Sequence, residues 1–277
     1  MTNLPTLTAG LFLACFSCLL PASAVPTRPA GIAATPERPW LASAPVRLSP
    51  PERAVYLAAF EQHVARTYVQ AHLTAAALPL TVYREALLGF YNLQQRGHIG
   101  ANCHTLSIAD FSQSSNRERL WVVDIDQGRL LYHTLVAHGK NSGEEYARTF
   151  SNVEGSEMSS LGFYVTGPTY QGKHGLSLRL RGVDAGYNTN ALGRAVVVHG
   201  AAYVSQGFIG QHGRLGRSQG CPALPESEAP AIIRAIKGGS VLYVHGPAES
   251  GYRSELLALD AALLAFAQSQ GLTNRLG

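Results

Sequence analysis

Apolar residues recur at two different periods along this chain, and the change between them divides it. From Glu52 to Leu73, the residues Val55, Ala58, Ala59, Val64 and Tyr68 return at helical spacing. After Pro79, a second stripe of Val82, Ala86, Phe90 and Leu93 predicts a helix from Thr81 to about Arg96, and Gly97 supplies its stop. Both stripes are expected to be core-packing faces, which together make a helical cap over residues 52–98. Beyond the cap the pattern turns to short apolar runs. Leu106–Ile108, Leu120–Ile125 and Arg129–Val136 read as strands, with Asp126-Gln127-Gly128 as the tight turn between the last two. Gly162–Val165, Leu176–Leu180, Ala195–His199 and Val241–His245 read as further strands, Glu228–Ile236 and Ser254–Gln268 as helices. Glycine is concentrated between the strands, as a loop-rich β-sandwich or barrel requires. The expected class is therefore mostly β, α+β, with an N-terminal helical cap and a C-terminal helical segment over residues 249–277.

The first fifty residues follow neither period. Leu11–Leu20 is a short apolar run, followed by Pro21 and the small-residue pattern Ala22-Ser23-Ala24. That is the anatomy of a cleavable secretory signal over residues 1–24, too short for a stable membrane span. Lipid attachment at Cys15 or Cys18 is the alternative, though neither follows a good lipoprotein pattern. From Val25 to Pro51, prolines are spread among Ala, Ser, Thr and Arg, which prevents ladders and predicts an extended tether. Export to the periplasm or cell envelope is the expected localisation.

Composition narrows the partners. A formal net charge of +4 on 277 residues suits an anionic polymer environment but is diffuse. No Lys/Arg stripe with interleaved aromatics supports nucleic-acid binding. Once a signal is removed, Cys103 and Cys221 remain. Cys103 is expected to be a buried or half-buried thiol, with a Cys103–Cys221 bridge as an inactive alternative.

The candidate chemistry lies in Val196-Val197-Val198-His199-Gly200 and Gly213-Arg214-Leu215-Gly216-Arg217-Ser218-Gln219-Gly220-Cys221-Pro222. A thiol nucleophile needs a base to take its proton, and small neighbours so that backbone N–H groups can approach a developing oxyanion. His199 and Cys221 are too far apart in sequence to be helical neighbours, but a strand and a returning loop can bring them together. Gly220, Ser218 and Gly200 are the candidates for oxyanion or loop support. An ordinary core histidine with an inert thiol is the competing reading, and the glycines and arginines around Cys221 argue against it.

These motifs resemble the active-site signature of L,D-transpeptidases with a YkuD-type catalytic domain: His-Gly, a spacer, then Ser-x-Gly-Cys. The Gly-Arg-Ser-x-Gly-Cys-Pro form, with Val136–Gly143 upstream, is similar to one bacterial branch of that family, and the similarity runs from about Leu80 to about Gly246. The resemblance implies a YkuD-like sandwich or barrel over residues 99–248. It also implies that Cys221 attacks the L-centre of a peptidoglycan stem peptide to form a thioester, with His199 as base and a backbone carbonyl orienting the imidazole. An amine acceptor makes this a transpeptidase; water would make it an L,D-carboxypeptidase. By the same resemblance, His138 and Ser159–Gly162 wall the cleft.

Two departures concern substrate grip. Ala223 stands where many members carry an arginine, and Gln219 where many have histidine or arginine. Arg217 and Arg214 are the nearest replacements for a carboxylate contact, with loop ordering as their alternative role. Tyr203 and His138 complete the predicted substrate-binding set. No cofactor or metal is expected, and the chain is expected to be a monomer. The other classes weighed are a non-catalytic wall-binding module and a zinc peptidase drawing on His138, His174, His199, His212 and Cys221, for which no ligand spacing exists. Ser218 lacks the Gly-x-Ser-x-Gly context of a serine nucleophile.

Overall fold

The computed structural model describes Met1 and residues 46–273. The expected signal segment and nearly all of the proline-rich tether lie outside the described residues. Along the chain the helices are α1 (Pro50–Gln70), α2 (Leu80–Gln95), α3 (Gln206–His212), α4 (Ala229–Ile236) and α5 (Leu259–Ser269). The strands are β1 (Thr105–Asp110), β2 (Glu118–Asp124), β3 (Arg129–Leu135), β4 (Gly162–Gly172), β5 (Gly175–Gly182), β6 (Val197–Gly200), β7 (Ala223–Leu224) and β8 (Val241–His245).

The eight strands make one mixed sheet in the order β3-β2-β1-β8-β4-β5-β6-β7. Pairs β1–β8 and β6–β7 are parallel, and the others are antiparallel. Just past β3, Ala137 bridges Ala223 of β7, so the two ends of the sheet meet in a nearly closed barrel. Closure of this kind satisfies edge N–H and C=O groups that an open sheet would leave unpaired.

Period-two alternation sends successive side chains to opposite faces. Ile108, Trp121, Val123, Phe163 and Tyr243 pack on one face, beneath α1, α2 and α5. Ala109, Leu120, Val122, Tyr164, Leu242 and Val244 pack on the other, with Ile232, Ile233 and Ile236 of α4. The predicted cap and the predicted C-terminal segment are one helical layer rather than two pieces. Phe60 and Tyr91 each set an edge against Phe266, with centroids 5.5 and 5.3 Å apart. The Asn92 amide donates to the carbonyls of Leu256 at 2.7 Å and Ala258 at 2.9 Å, binding α2 to the chain entering α5.

Several boundaries differ from the sequence expectation for local reasons. Helix α1 starts at Pro50 rather than Glu52, because proline is well suited to a first helical turn whose N–H groups have no intrahelical partner. Glu52 reaches back to accept the Ser49 N–H at 2.9 Å. Strand β4 runs on to Gly172, past the expected end at Val165. Gly167-Pro168 reads as a breaker, but the ladder absorbs it as a register shift between Thr166 and Thr169. That extension projects a hairpin whose last pair is Gly172 with Gly175. Among the described residues, no helix is long and apolar enough to cross a membrane.

Candidate active site

Strand β6 delivers His199 and Gly200 to the end of an apolar run that is buried throughout. Strand β7 pairs with it in parallel, His199 opposite Ala223 and Gly200 opposite Leu224. The same register brings Cys221 level with Val197, whose N–H lies 3.5 Å from the Cys221 Sγ. Ala195 O is 3.9 Å from the sulfur. One parallel pairing thus places the thiol on the strand that carries the imidazole, two residues from it.

The His199 Nδ1–H donates to the Gly200 carbonyl at 2.9 Å, which leaves Nε2 as the basic nitrogen of the neutral ring. Burial pushes this imidazole below its ordinary range; the Gly200 bond opposes that, and the charges of His174 and Lys173 add to it. Burial also pushes the Cys221 thiol up, while the Val197 N–H and the charges of Arg194 and Lys173 favour the thiolate. Desolvation disfavours the charged form of both groups, and among the described residues no hydrogen bond joins them. Catalytic contacts commonly tighten only when substrate arrives.

The loop before the thiol is held by its own serine. Ser218 Oγ donates to the Cys221 carbonyl at 2.6 Å and accepts the Gly220 N–H at 3.0 Å. Its backbone N–H reaches His138 O at 2.9 Å, and its carbonyl receives the Lys140 N–H at 2.8 Å. Gly220 has φ +115°, and a Cβ there would sit 2.7 Å from the Met158 carbonyl. Its N–H is already committed to Ser218, so Gly220 is a close-approach residue rather than an oxyanion donor. Gly200 contributes through its carbonyl and through a tight approach to Glu226 and Ala229, 3.2 Å from an added Cβ. The Cys221 N–H has no acceptor among the described residues.

The predicted carboxylate-binding arginines have found a carboxylate of the chain itself. Arg217 donates to Glu144 at 2.6 Å and to the carbonyls of Lys140 and Gly143, each at 3.2 Å. Arg214 Nε lies 2.9 Å from the other oxygen of Glu144 and donates to Leu215 O at 2.8 Å. Glu144 is distant in sequence from the cysteine loop, so the sequence carries no signal of this pairing.

The structure likewise turns His138 away from a substrate-contact role. Its ring is buried; Nδ1 accepts from Arg119 at 2.7 Å, and Nε2 faces Gly143 O at 3.2 Å. Burial, with Arg119 beside it, lowers its pKa to about 4. What His138 offers the site is its backbone carbonyl. Tyr203 accepts the Gly216 N–H of the thiol loop on its carbonyl at 2.9 Å, and burial, with the charge of Cys221, pushes its phenol up to about 12.

Two of the five candidate zinc ligands have other partners. His138 is tied to Arg119, His212 stacks on Phe208 at 4.0 Å, and among the described residues no His/Cys/Asp/Glu group is gathered for a metal. Cys103 and Cys221 are both free thiols.

Three residues that the sequence reading did not assign to the substrate site lie beside His199 or the thiol loop. The exposed His174 stacks on His199 with centroids 4.4 Å apart and planes 26° apart. Lys173 precedes it at the hairpin tip. Arg194 lies beneath the thiol loop, donating to Ser151 O at 2.7 Å, Met158 O at 2.6 Å, Ser156 Oγ at 3.2 Å and the Ser160 hydroxyl. Only the length of β4, hidden by Gly167-Pro168, could have signalled the hairpin.

A family model described as the YkuD_2 L,D-transpeptidase catalytic domain matches residues 74–245, well over half the chain. Among solved structures, an L,D-transpeptidase from Mycobacterium smegmatis is similar at 15% identity and TM-score 0.33, covering 52% of this chain and 59% of that one. L,D-transpeptidase 3 from Mycobacterium tuberculosis is similar at 13% identity and TM-score 0.33, covering 51% and 61%. The chain thus spans less than two thirds of the length of these structures. No curated protein matches the chain.

Proposed function

The chain belongs to the YkuD_2 family of L,D-transpeptidase catalytic domains, and we propose that it is a cysteine-dependent acyltransferase acting on peptidoglycan stem peptides. The observation that carries this reading is the β6–β7 register, which sets the Cys221 thiol on the Val197 N–H and two residues from a histidine whose Nδ1 is committed to Gly200. His199 Nε2 takes the thiol proton as Cys221 Sγ attacks the carbonyl of the L-centre diamino acid. The C–N bond to the terminal D-alanine breaks, the proton passes to the leaving amine, and a thioester remains on Cys221. An acceptor amine then attacks the thioester, gives its proton to His199 and releases the thiol. The Cys221 N–H, without an acceptor among the described residues, is the donor assigned to the developing oxyanion. Arg217 and Arg214 order the loop through Glu144, and Tyr203 lines the thiol's surroundings. Action on the wall requires export, and the apolar run Leu11–Leu20 with Ala22-Ser23-Ala24 supports that placement.

The test is intact-mass spectrometry with a carbapenem, a mimic of the acyl donor that acylates enzymes resembling this family. One adduct on the parent and none on Cys221→Ala is expected. An adduct that persists in Cys221→Ala removes the nucleophile assignment. Release of D-alanine from a tetrapeptide, with or without an added amine, then separates acyl transfer from hydrolysis.

A further inference from the structure

The hairpin joining β4 and β5 ends in a two-residue loop, Lys173-His174, closed by the pair Gly172 and Gly175. Its position is set by a contact at the reactive centre: the His174 ring lies flat on the His199 ring, centroids 4.4 Å apart. Lys173 is the adjoining residue, exposed, and its charge acts on both His199 and Cys221.

The other cations near the thiol are already occupied. Arg217 and Arg214 share Glu144, and Lys140 Nζ holds Glu157 at 2.6 Å. Arg194 spends its donors on Ser151, Ser156, Met158 and Ser160. Where many of the chains it resembles have an arginine, Ala223 is fully buried in β7. Among the described residues, Lys173 makes no ion pair and no hydrogen bond. An ammonium on a flexible stem, strongly hydrated until a partner arrives, suits reversible capture of a carboxylate.

We propose that Lys173, held over the active site by the stacking of His174 on His199, is the cation that receives an anionic group of the acyl donor beside Cys221. Lys173 is then a specificity-determining residue, and the ligand class is a carboxylate placed close to the bond that the thiol attacks. Applied to the reaction proposed above, and resting on that reading, this anion is the C-terminal carboxylate of the departing D-amino acid.

Two alkylating reagents of the same reactive group and nearly the same size test this without requiring turnover: iodoacetate, an anion, and iodoacetamide, neutral. The ratio of their rates at Cys221 reports the positive charge that an incoming carboxylate meets. In Lys173→Ala the iodoacetate rate is expected to fall about five-fold relative to iodoacetamide, the size of effect a nearby, partly solvated charge exerts. Lys173→Glu should lower the ratio further, and Lys173→Arg should restore it. His174→Ala should lower the ratio through loss of placement, with the charge still present. A ratio unchanged in Lys173→Ala overturns the proposal, and so does an equal loss with both reagents, which would make Lys173 a loop-ordering residue. A parent Cys221 that neither reagent labels overturns it as well. D-alanine release is measured separately, so a protein that keeps the charge-dependent ratio but lacks that activity discards the stem-peptide reading and leaves the anion site standing.

Discussion

The two ends of this molecule are built from different materials. The helical layer is stitched by apolar rings: Phe60, Phe90, Tyr91 and Phe266 interlock edge to face. The thiol loop has one small apolar anchor, Leu215 with Val204 and Ala223, and is otherwise stitched by hydroxyls, arginines and backbone carbonyls around Ser218, Arg194 and Arg217. Apolar contact is non-directional and tolerates small shifts, whereas hydrogen bonds fix positions within a few tenths of an ångström. Stability is therefore concentrated in the first region and geometric precision in the second.

The sharpest way to break this comparison is to damage the helical layer alone. Phe90→Ala removes a buried ring that touches Tyr91, and should cost about 3–5 kcal/mol in urea unfolding. The alkylation rate of Cys221 in the folded fraction should stay at the parent's value. A slowed rate there would mean that the site depends on the helical layer directly.

Acid should test the two regions against each other. Burial lowers both His63, in α1, and His138, beside the thiol loop, from the ordinary value to about 4. For a histidine whose folded value is depressed, the stabilising contribution is present above about pH 6.5 and is lost as pH falls toward 4. Each site accounts for about 3 kcal/mol of that loss, since every tenfold drop in proton affinity is worth about 1.4 kcal/mol. Urea midpoints followed from pH 7 to pH 4.5 should flatten in His63→Gln and in His138→Gln. Only His138→Gln should also change the pH dependence of Cys221 alkylation, because Arg119 loses its ring acceptor and the His138 carbonyl holds the Ser218 N–H. Identical profiles for the two variants would erase the distinction between the regions.

The smallest expected effect concerns Arg217→Lys. Lysine keeps the charge but cannot reach Glu144, Lys140 O and Gly143 O together, so the loss should be about 1 kcal/mol of stability. If Arg217 orders the loop, iodoacetamide labelling of Cys221 should slow. A raised KM for a tetrapeptide with unchanged labelling would return Arg217 to the substrate contact that the sequence alone had suggested.

Much was determined by the chain's own pattern. The helical stripe of Val82, Ala86, Phe90 and Leu93 and the short apolar run Leu120–Val123 are local consequences of backbone geometry and apolar spacing, so they could be read without knowing any long-range contact. The order His199-Gly200, Ser218-x-Gly220-Cys221 was equally legible, because a thiol crowded by glycine and arginine is poor core chemistry. Tertiary structure alone decided which charge meets which partner. Glu144 pairs with Arg214 and Arg217 from a loop far upstream, and Arg119 reaches His138 from β2. A hairpin extended past Gly167-Pro168 carries His174 onto His199. Each of these contacts joins segments separated by many residues. It is set by sheet register and barrel closure, which short-range periodicity does not encode.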